Sequence, residues 1–241
     1  MQILTARGLR LVYGSGPGAA RALDGVDLDL GAESLAVMGP SGSGKTTLLH
    51  CLAGILRPDE GRVVLTPPGG APIEVSALPD ARRTRLRRSL VGVVFQSGEL
   101  LGELPALENV ALPLLLSGFP RSRATAAATA VLARLGLAGL EGRRPGELSG
   151  GQAQRVAIAR SLVGSPAVVV ADEPTGALDQ ATGAEVMQVL VGATRAAGAA
   201  LVVVTHDPGV AAWCHRTLHM RDGRAVPAPA ITPTAAGGPV R

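Results

Sequence analysis

The glycine-rich stretch GPSGSGKT, residues Gly39–Thr46, has the residue types and spacing that suit phosphate binding. It fits the pattern G-x-x-x-x-G-K-[ST], in which glycines let backbone amides turn inward around phosphate groups. Lys45 can reach the outer phosphates, and the hydroxyl of Thr46 can bind Mg²⁺. The stretch follows an apolar run, SLAVM, and precedes a helical pattern, TTLLHCLAGI, as such a loop requires. These features predict a nucleotide-phosphate loop rather than a chance glycine-rich turn.

Lys45 is the only lysine among 23 basic residues, and all the others are arginine. Arginine carries a planar guanidinium, whereas lysine presents a compact point charge on a flexible stem. A composition that uses arginine everywhere else has kept lysine at this one position. We infer that the loop needs the compact ammonium and that a guanidinium would not serve there.

A pair of acidic residues, Asp172 and Glu173, ends the apolar run AVVVADE. A carboxylate in the position of Asp172 can hold Mg²⁺ through water, and Glu173 can orient or deprotonate an attacking water. A surface-exposed acidic pair is the alternative. The apolar residues in front of Asp172 favour a buried strand, and a buried strand fixes the position of the residues at its end. We therefore predict a catalytic pair.

Three further residues stand where strands are predicted to end. Gln96 follows LVGVVF and His206 follows ALVVVT, which places both at the carboxyl edge of a parallel sheet, where ligands bind in open α/β folds. Gln96 can bridge metal and water, and His206 can hold the terminal phosphate, although each taken alone is also typical of a structural polar residue. Tyr13, the only tyrosine, ends the first predicted strand and could stack on a purine or simply pack.

A second stretch, ELSGGQAQR at 147–155, has the pattern of an anion-binding helix start. Ser149 is a good N-cap, and the two glycines after it leave backbone N–H groups free ahead of a helical run, VAIARSLV. Helix N-termini favour phosphates through such amides and through the helix dipole. Because the chain already has a complete phosphate loop about a hundred residues earlier, the second site raises the question of which ligand it serves.

The order of the predicted elements indicates an α/β fold. Strands alternate with helices along most of the chain, which predicts a parallel core sheet. The segment ILTARGLRLVYG alternates like an edge strand with VDLDL as its partner, so an antiparallel β subdomain is expected at the N-terminus. Residues 97–165 show helical spacing with breaks at Pro113, Pro120 and Pro145, and we predict a helical insert there. The Pro/Ala/Gly-rich residues 227–241 are expected to form a flexible tail.

Composition narrows the class of protein further. The chain has 241 residues, 46% hydrophobic and 17% charged, so a globular core is expected. Its two cysteines lack CxxC spacing, which argues against a disulfide scaffold or a zinc site. No apolar run approaches the ~18 residues of a membrane span, and no signal peptide opens the chain. The arginine cluster at 81–89 has no interleaved aromatics, so a solvated helix face is favoured over nucleic-acid binding.

The motifs YG, GPSGSGKTT, FQ, LSGGQ, VVVADEPTGALD and VVVTHD, in this order, resemble the ATP-binding subunit of ATP-binding-cassette (ABC) transporters. The resemblance covers residues 2–226. It implies a P-loop NTPase core with a parallel sheet, an N-terminal antiparallel β subdomain and a helical subdomain inserted at about 97–165. The implied cofactors are ATP and Mg²⁺, and the implied reaction is hydrolysis of ATP to ADP and phosphate.

The resemblance also implies individual roles. Tyr13 would stack on adenine, Asp172 would hold the metal, and Glu173 would be the catalytic base. Gln96 would sense the γ-phosphate, take part in the metal site and link to the membrane partner, and His206 would be the switch histidine. The phosphates and the metal would be cradled by Gly39, Pro40, Ser41, Gly42, Ser43, Gly44, Lys45, Thr46 and Thr47. The signature would be Ser149, Gly150, Gly151 and Gln152, and communication between subunits would fall to Asp179.

In this family two subunits pack head to tail, so each ATP lies between the phosphate loop of one subunit and the LSGGQ helix of the other. The second anion site would therefore serve the partner's γ-phosphate.

The resemblance implies a separate transmembrane permease as a further partner and a place on the cytoplasmic side of the membrane. EPTGALD and LPALENVALPLL resemble the branch for lipoprotein release, macrolide or peptide export and cell division. A soluble ABC ATPase, for example of the iron–sulfur assembly type, is the alternative.

Overall fold

Two β-sheets and seven α-helices build the part of the chain that the structure, a computed structural model, describes, which is residues 2–227. The strands are β1 Leu4–Tyr13, β2 Ala20–Leu30, β3 Ser34–Met38, β4 Glu60–Leu65, β5 Ile73–Glu74, β6 Val91–Val94, β7 Val168–Asp172, β8 Ala200–Val204, β9 Arg216–Arg221 and β10 Arg224–Val226. The helices are α1 Lys45–Leu52, α2 Asp80–Leu90, α3 Ala106–Leu116, α4 Arg121–Arg134, α5 Gly150–Leu162, α6 Gln180–Ala196 and α7 Pro208–Ala211.

The core sheet has the strand order β10-β9-β3-β8-β7-β6. All neighbouring pairs in it are parallel except β9 and β10, which form an antiparallel hairpin at one edge. The runs AVVVA and ALVVV are apolar without interruption because helices or the second sheet cover both faces of these strands. Val168 and Val170 pack in the core with α1, whereas Val169 and Ala171 pack in the core with α5 and α6. The predicted parallel core is confirmed.

The second sheet is antiparallel, with the order β2-β1-β4-β5. Its pairing of β1 with β2 confirms the predicted N-terminal β subdomain. The strand β2 begins at Ala20, well before the VDLDL segment that the sequence indicates. This longer strand pairs Ala20 with Tyr13, so it extends the sheet as far as the end of β1.

The predicted helical insert is present as α3, α4 and α5, with α3 packed against the other two. The predicted break at Pro113 is wrong, because α3 continues through Pro113 to Leu116. A proline inside a helix removes one backbone N–H donor, and here only the final turn follows it, so the helix ends soon afterwards. Pro120 and Pro145 do stand at boundaries, as the N-cap of α4 and the first residue of a 3-10 turn.

In residues 2–227 we find no helix that combines the length and the apolar character needed to cross a membrane. The flexible tail expected over 227–241 lies outside the described residues, apart from Pro227.

Candidate active site

The phosphate loop connects β3 to α1, as the sequence predicts. Gly44, the N-cap of α1, has a φ of 95°, and a side chain on it would collide with the carbonyl oxygen of Ala22. Lys45 begins the helix and is buried, and its Nζ donates to the carbonyl oxygens of Gly39 at 2.8 Å and Pro40 at 2.9 Å. The one lysine of the chain is therefore held inside the loop, next to the free amides of a helix N-terminus.

The loop fits an anionic ligand by its charge as well as by its shape. Lys45 and Thr46 line the cavity together with Asp172. A cation, a hydroxyl and a carboxylate are therefore available to a phosphate group and its metal ion. The first-turn amides of α1 add partial positive charge at the same place. The residues present thus suit a nucleotide phosphate with its Mg²⁺.

The acidic pair lies at the carboxyl end of β7, opposite the loop. Burial raises the pKa of Asp172, and the neighbouring Thr46 hydroxyl, His50 and Lys45 partly offset this rise. Glu173 has a φ of 45°, in the left-handed region that non-glycine residues seldom adopt, and its N–H donates to Val204 at 2.9 Å. Such strained backbone is common at active sites. The turn sends two successive carboxylates into the same cavity.

The carboxylate of Glu173 is held by residues that follow β8. The Nδ1 atom of His206 lies 2.6 Å from its Oε1, and the His206 N–H donates to the same oxygen at 3.1 Å. The hydroxyl of Thr205 donates to Oε2 at 3.2 Å. The hydrogen bond to Glu173 and its negative charge raise the pKa of His206. This arrangement fixes the orientation of Glu173 and joins the acidic pair to the histidine.

A cavity of about 770 Å³ collects most of the predicted site. Tyr13 lines the wall of this cavity and is 48% exposed. The other predicted residues that line it are Ser41, Gly42, Gly44, Lys45, Thr46, Thr47, Asp172, Glu173 and His206. Gly39, Pro40 and Ser43 belong to the loop but do not line the cavity.

Two parts of the site, the start of β2 and Thr205, were not predicted from the sequence. Arg21 and Ala22 of β2 line the cavity beside Tyr13, and Thr205 holds Glu173 from outside it. The start of β2 carries no periodic pattern that would place it near the phosphate loop. Thr205 does precede His206 directly, so the end of the apolar run ALVVVT is the signal that could have found it.

Gln96 follows β6 but does not line this cavity. Its amide lies against Gly176, where an added Cβ would come within 2.7 Å of Gln96 Nε2. Gly176 lies three residues after Glu173 in the turn that follows β7, and its N–H donates to the Glu173 carbonyl oxygen at 3.0 Å. The structure thus brings Gln96 against the turn that carries the acidic pair. Its roles at the metal and the γ-phosphate stay predictions.

The signature residues form the start of α5, and none of the four lines the cavity. Ser149 is the N-cap: its Oγ accepts from the Gln152 N–H at 3.2 Å, and Gln152 Oε1 accepts from the Ser149 N–H at 2.9 Å. Ser149 and Gly150 are exposed. The start of α5 is therefore exposed and lies outside the cavity of its own chain.

The start of α5 is also tied to the start of α6. An added Cβ on Gly151 would come within 2.5 Å of Thr182 Cγ2, so only glycine fits this contact. Asp179 is the N-cap of α6 and accepts from the Thr182 N–H at 3.0 Å and from its hydroxyl at 2.7 Å. The signature and Asp179 consequently form one packed unit.

Comparison with known proteins tests the family that the order of these motifs indicates. The ABC transporter family profile matches residues 23–176. The chain belongs to the ABC transporter family. It is therefore an ATP-binding and ATP-hydrolysing subunit that uses Mg²⁺, as the motifs predict.

Individual relatives extend this result over nearly the whole chain. The lipoprotein-releasing system ATP-binding protein LolD of Chromohalobacter salexigens is 44% identical over 92% of this chain and 92% of its own length. The macrolide export ATP-binding/permease protein MacB 1/2 of Paracoccus denitrificans is 46% identical over 93% of this chain but only 33% of its own length. The ATP-binding cassette MJ0796, solved as a dimer in a post-hydrolysis state with ADP and phosphate, is similar with a TM-score of 0.81. It is 36% identical over 92% of this chain and 96% of that chain.

Proposed function

We propose that this chain is the ATPase subunit of an exporter or mechanotransmission complex of the LolD and MacB branch. The observation that carries the proposal is the 44–46% identity to LolD and MacB proteins over more than nine-tenths of this chain. The match takes in almost all of LolD but only a third of MacB, whose name joins an ATP-binding and a permease part. A membrane permease is therefore the expected partner, and the soluble alternative has no such support.

The proposed chemistry uses the side chains that meet in the 770 Å³ cavity. Lys45 and the loop amides bind the phosphates, and Tyr13 stacks on the base. Glu173, oriented by Thr205 and His206, takes the proton from the attacking water. Thr46, Asp172 and Gln96 are the proposed metal residues, and Mg²⁺ supplies positive charge against the phosphate oxygens.

The proposed working unit is a head-to-tail dimer. The signature start of α5 is exposed and lies outside the cavity of its own chain. A free helix N-terminus attracts phosphate, so its natural ligand is the nucleotide of a second copy. The solved dimer of the MJ0796 cassette supports this arrangement. ATP then joins the two subunits, and its hydrolysis releases them.

The proposed permease contact lies near Gln96. Phe95, its neighbour, lines a groove of about 360 Å³ between α2 and α3. Leu116 in the same groove is 57% exposed, more than any other large apolar side chain in the described residues. Through this contact the chain would sit peripherally on the cytoplasmic side of the membrane.

The test is expression of the tagged chain in its host, with identification of any multi-span protein that binds it. We expect the two to purify together from detergent-solubilised membranes, with ATPase activity in the complex. Leu116→Glu should weaken the association and leave the ATPase activity of the isolated subunit unchanged. Purification of the wild-type chain only as a soluble complex with iron–sulfur assembly proteins would contradict the proposal.

A further inference from the structure

The turn between β9 and β10 lies directly against the phosphate loop. Its central residues, Asp222 and Gly223, have φ angles of 49° and 76°, as a tight two-residue hairpin turn requires. The N–H of Gly223 donates to the carbonyl oxygen of Ser43 at 3.2 Å. A side chain on Gly39 would collide with the carbonyl oxygen of Met220, at the end of the same hairpin. The last hairpin of the core sheet therefore supports the loop from behind.

The same turn is joined to β2 of the antiparallel sheet. The N–H of Asp24 donates to the carbonyl oxygen of Gly223 at 2.9 Å. Arg224 donates to Asp24 Oδ2 from Nε at 2.9 Å and from Nη2 at 2.6 Å. The Asp24 side chain is only 8% exposed, and Arg21 and Arg10 approach it at 3.3 Å and 3.5 Å. Ion pairs between exposed side chains contribute little to stability. A carboxylate that is largely removed from water, such as that of Asp24, instead needs cationic partners to offset its desolvation cost.

The strand β2 carries part of the wall of the nucleotide cavity. Arg21 and Ala22 line the cavity, and Ala20 pairs with Tyr13 across the antiparallel ladder. Asp24 comes two residues after Ala22 on the same strand. The hairpin turn thus links the wall that bears Tyr13 to the loop that bears Lys45, and Asp24 with Arg224 is the side-chain part of that link.

We propose that Asp24 and Arg224 are positioning residues that set the distance between the Tyr13 wall and the phosphate loop. The proposal rests on the proposed roles of Tyr13 and Lys45 at the two ends of ATP. Without the link, the two sheets keep their backbone contacts but the wall is free to shift relative to the loop. ATP, which must contact both, then binds less tightly. The affinity for a ligand that contacts only the phosphate loop should change little.

The catalytic groups are held by other contacts. Asp172 and Glu173 end β7, and Glu173 is bound by Thr205 and His206 after β8. Neither strand carries Asp24 or Arg224. Loss of the link should therefore change the affinity for ATP and leave the rate of the bound complex nearly unchanged.

The experiment compares Asp24→Asn and Arg224→Met with Arg224→Lys, which keeps a cation at that position. Kd is measured for MgATP and for inorganic triphosphate, and KM and kcat are measured for hydrolysis. We expect Asp24→Asn and Arg224→Met each to raise Kd and KM for ATP about tenfold, the size of one charge-assisted hydrogen bond. Kd for inorganic triphosphate and kcat should stay within about twofold. Arg224→Lys should recover much of the affinity.

The matched control is Glu33→Gln, which breaks the 2.8 Å ion pair with Arg216 at the start of β9, at the end of that strand away from the hairpin turn. It should leave Kd and kcat at wild-type values. Unchanged ATP affinity in Asp24→Asn would overturn the proposal, as would an equal loss of ATP and inorganic triphosphate binding. Lys45→Ala in the same assay distinguishes this outcome from failure of the proposed function, because it should weaken binding of ATP and of inorganic triphosphate alike, by about 10- to 100-fold.

Discussion

Glu173→Gln is expected to leave ATP binding intact and to lower steady-state hydrolysis by about 10²–10⁴-fold, the usual contribution of a general base. Glu173 lies beside Asp172 at the end of β7, and its carboxylate is oriented by Thr205 and His206. Glutamine has nearly the same shape but cannot take a proton. ATP should therefore remain bound between two subunits, and stable ATP-bound dimers should accumulate on gel filtration.

The control for this variant is Glu185→Gln, the same substitution at an exposed position of α6. It should hydrolyse ATP at the wild-type rate and form no lasting dimer. Multiple-turnover hydrolysis near the wild-type rate in Glu173→Gln would remove Glu173 from the mechanism.

Lys45→Arg is expected to fail almost as badly as Lys45→Ala. The Lys45 ammonium is buried and donates to the two loop carbonyls of Gly39 and Pro40 at 2.8 Å and 2.9 Å. A planar guanidinium is too broad for this pocket, so the loop would have to open to accept it. Loss of a buried charged donor should weaken ATP binding by about 10- to 100-fold in both variants.

Nucleotide titration and turnover of the two variants give the measurement. Arg221→Lys, an exchange at an exposed position, is the control and should behave like the wild type. An active Lys45→Arg enzyme would show that the solitary lysine reflects something other than the shape of the pocket.

The parts of the site that the sequence predicts are those built by local structure. The phosphate loop is a strand, a glycine-rich turn and a helix in one continuous segment, so its pattern is visible along the chain. The acidic pair follows an apolar strand whose burial on both faces is also visible as an unbroken run. The N-cap at Ser149 is similarly local, since its partner Gln152 is three residues away.

The parts that the sequence does not predict depend on contacts between distant segments. Arg21 reaches the cavity only because β2 packs across the phosphate loop, and Asp24 meets Arg224 from 200 residues away. Gln96 is correctly placed after β6, but its contact with Gly176 depends on the turn after β7. The continuation of α3 through Pro113 depends on tertiary packing that a proline rule does not include.

The position of the signature follows from both kinds of information. The sequence indicates an anion-binding helix start, and the fold places it outside the cavity of its own chain. Its packing on α6 through Gly151 and Thr182 joins it to Asp179. A shift of the start of α5 should therefore move the start of α6, and the reverse. This coupling suits a unit that closes onto a neighbouring subunit.

The central claim, that each ATP lies between two chains, is tested most directly with mixed dimers. One pairing joins a wild-type subunit to a subunit with both Lys45→Ala and Ser149→Arg. The other pairing carries Lys45→Ala on one subunit and Ser149→Arg on its partner. Ser149 is a suitable probe because it caps the helix whose amides would face the phosphate, and a long arginine there should block its approach.

The measurement is the occupancy of trapped nucleotide in tagged mixed dimers. If the signature serves the partner, the first pairing loses both sites, because one lacks its phosphate loop and the other lacks its signature. The second pairing places both defects in one composite site and keeps the other site whole, so it should retain one trapped nucleotide. One occupied site in the first pairing and none in the second would contradict the claim and assign the helix to its own chain.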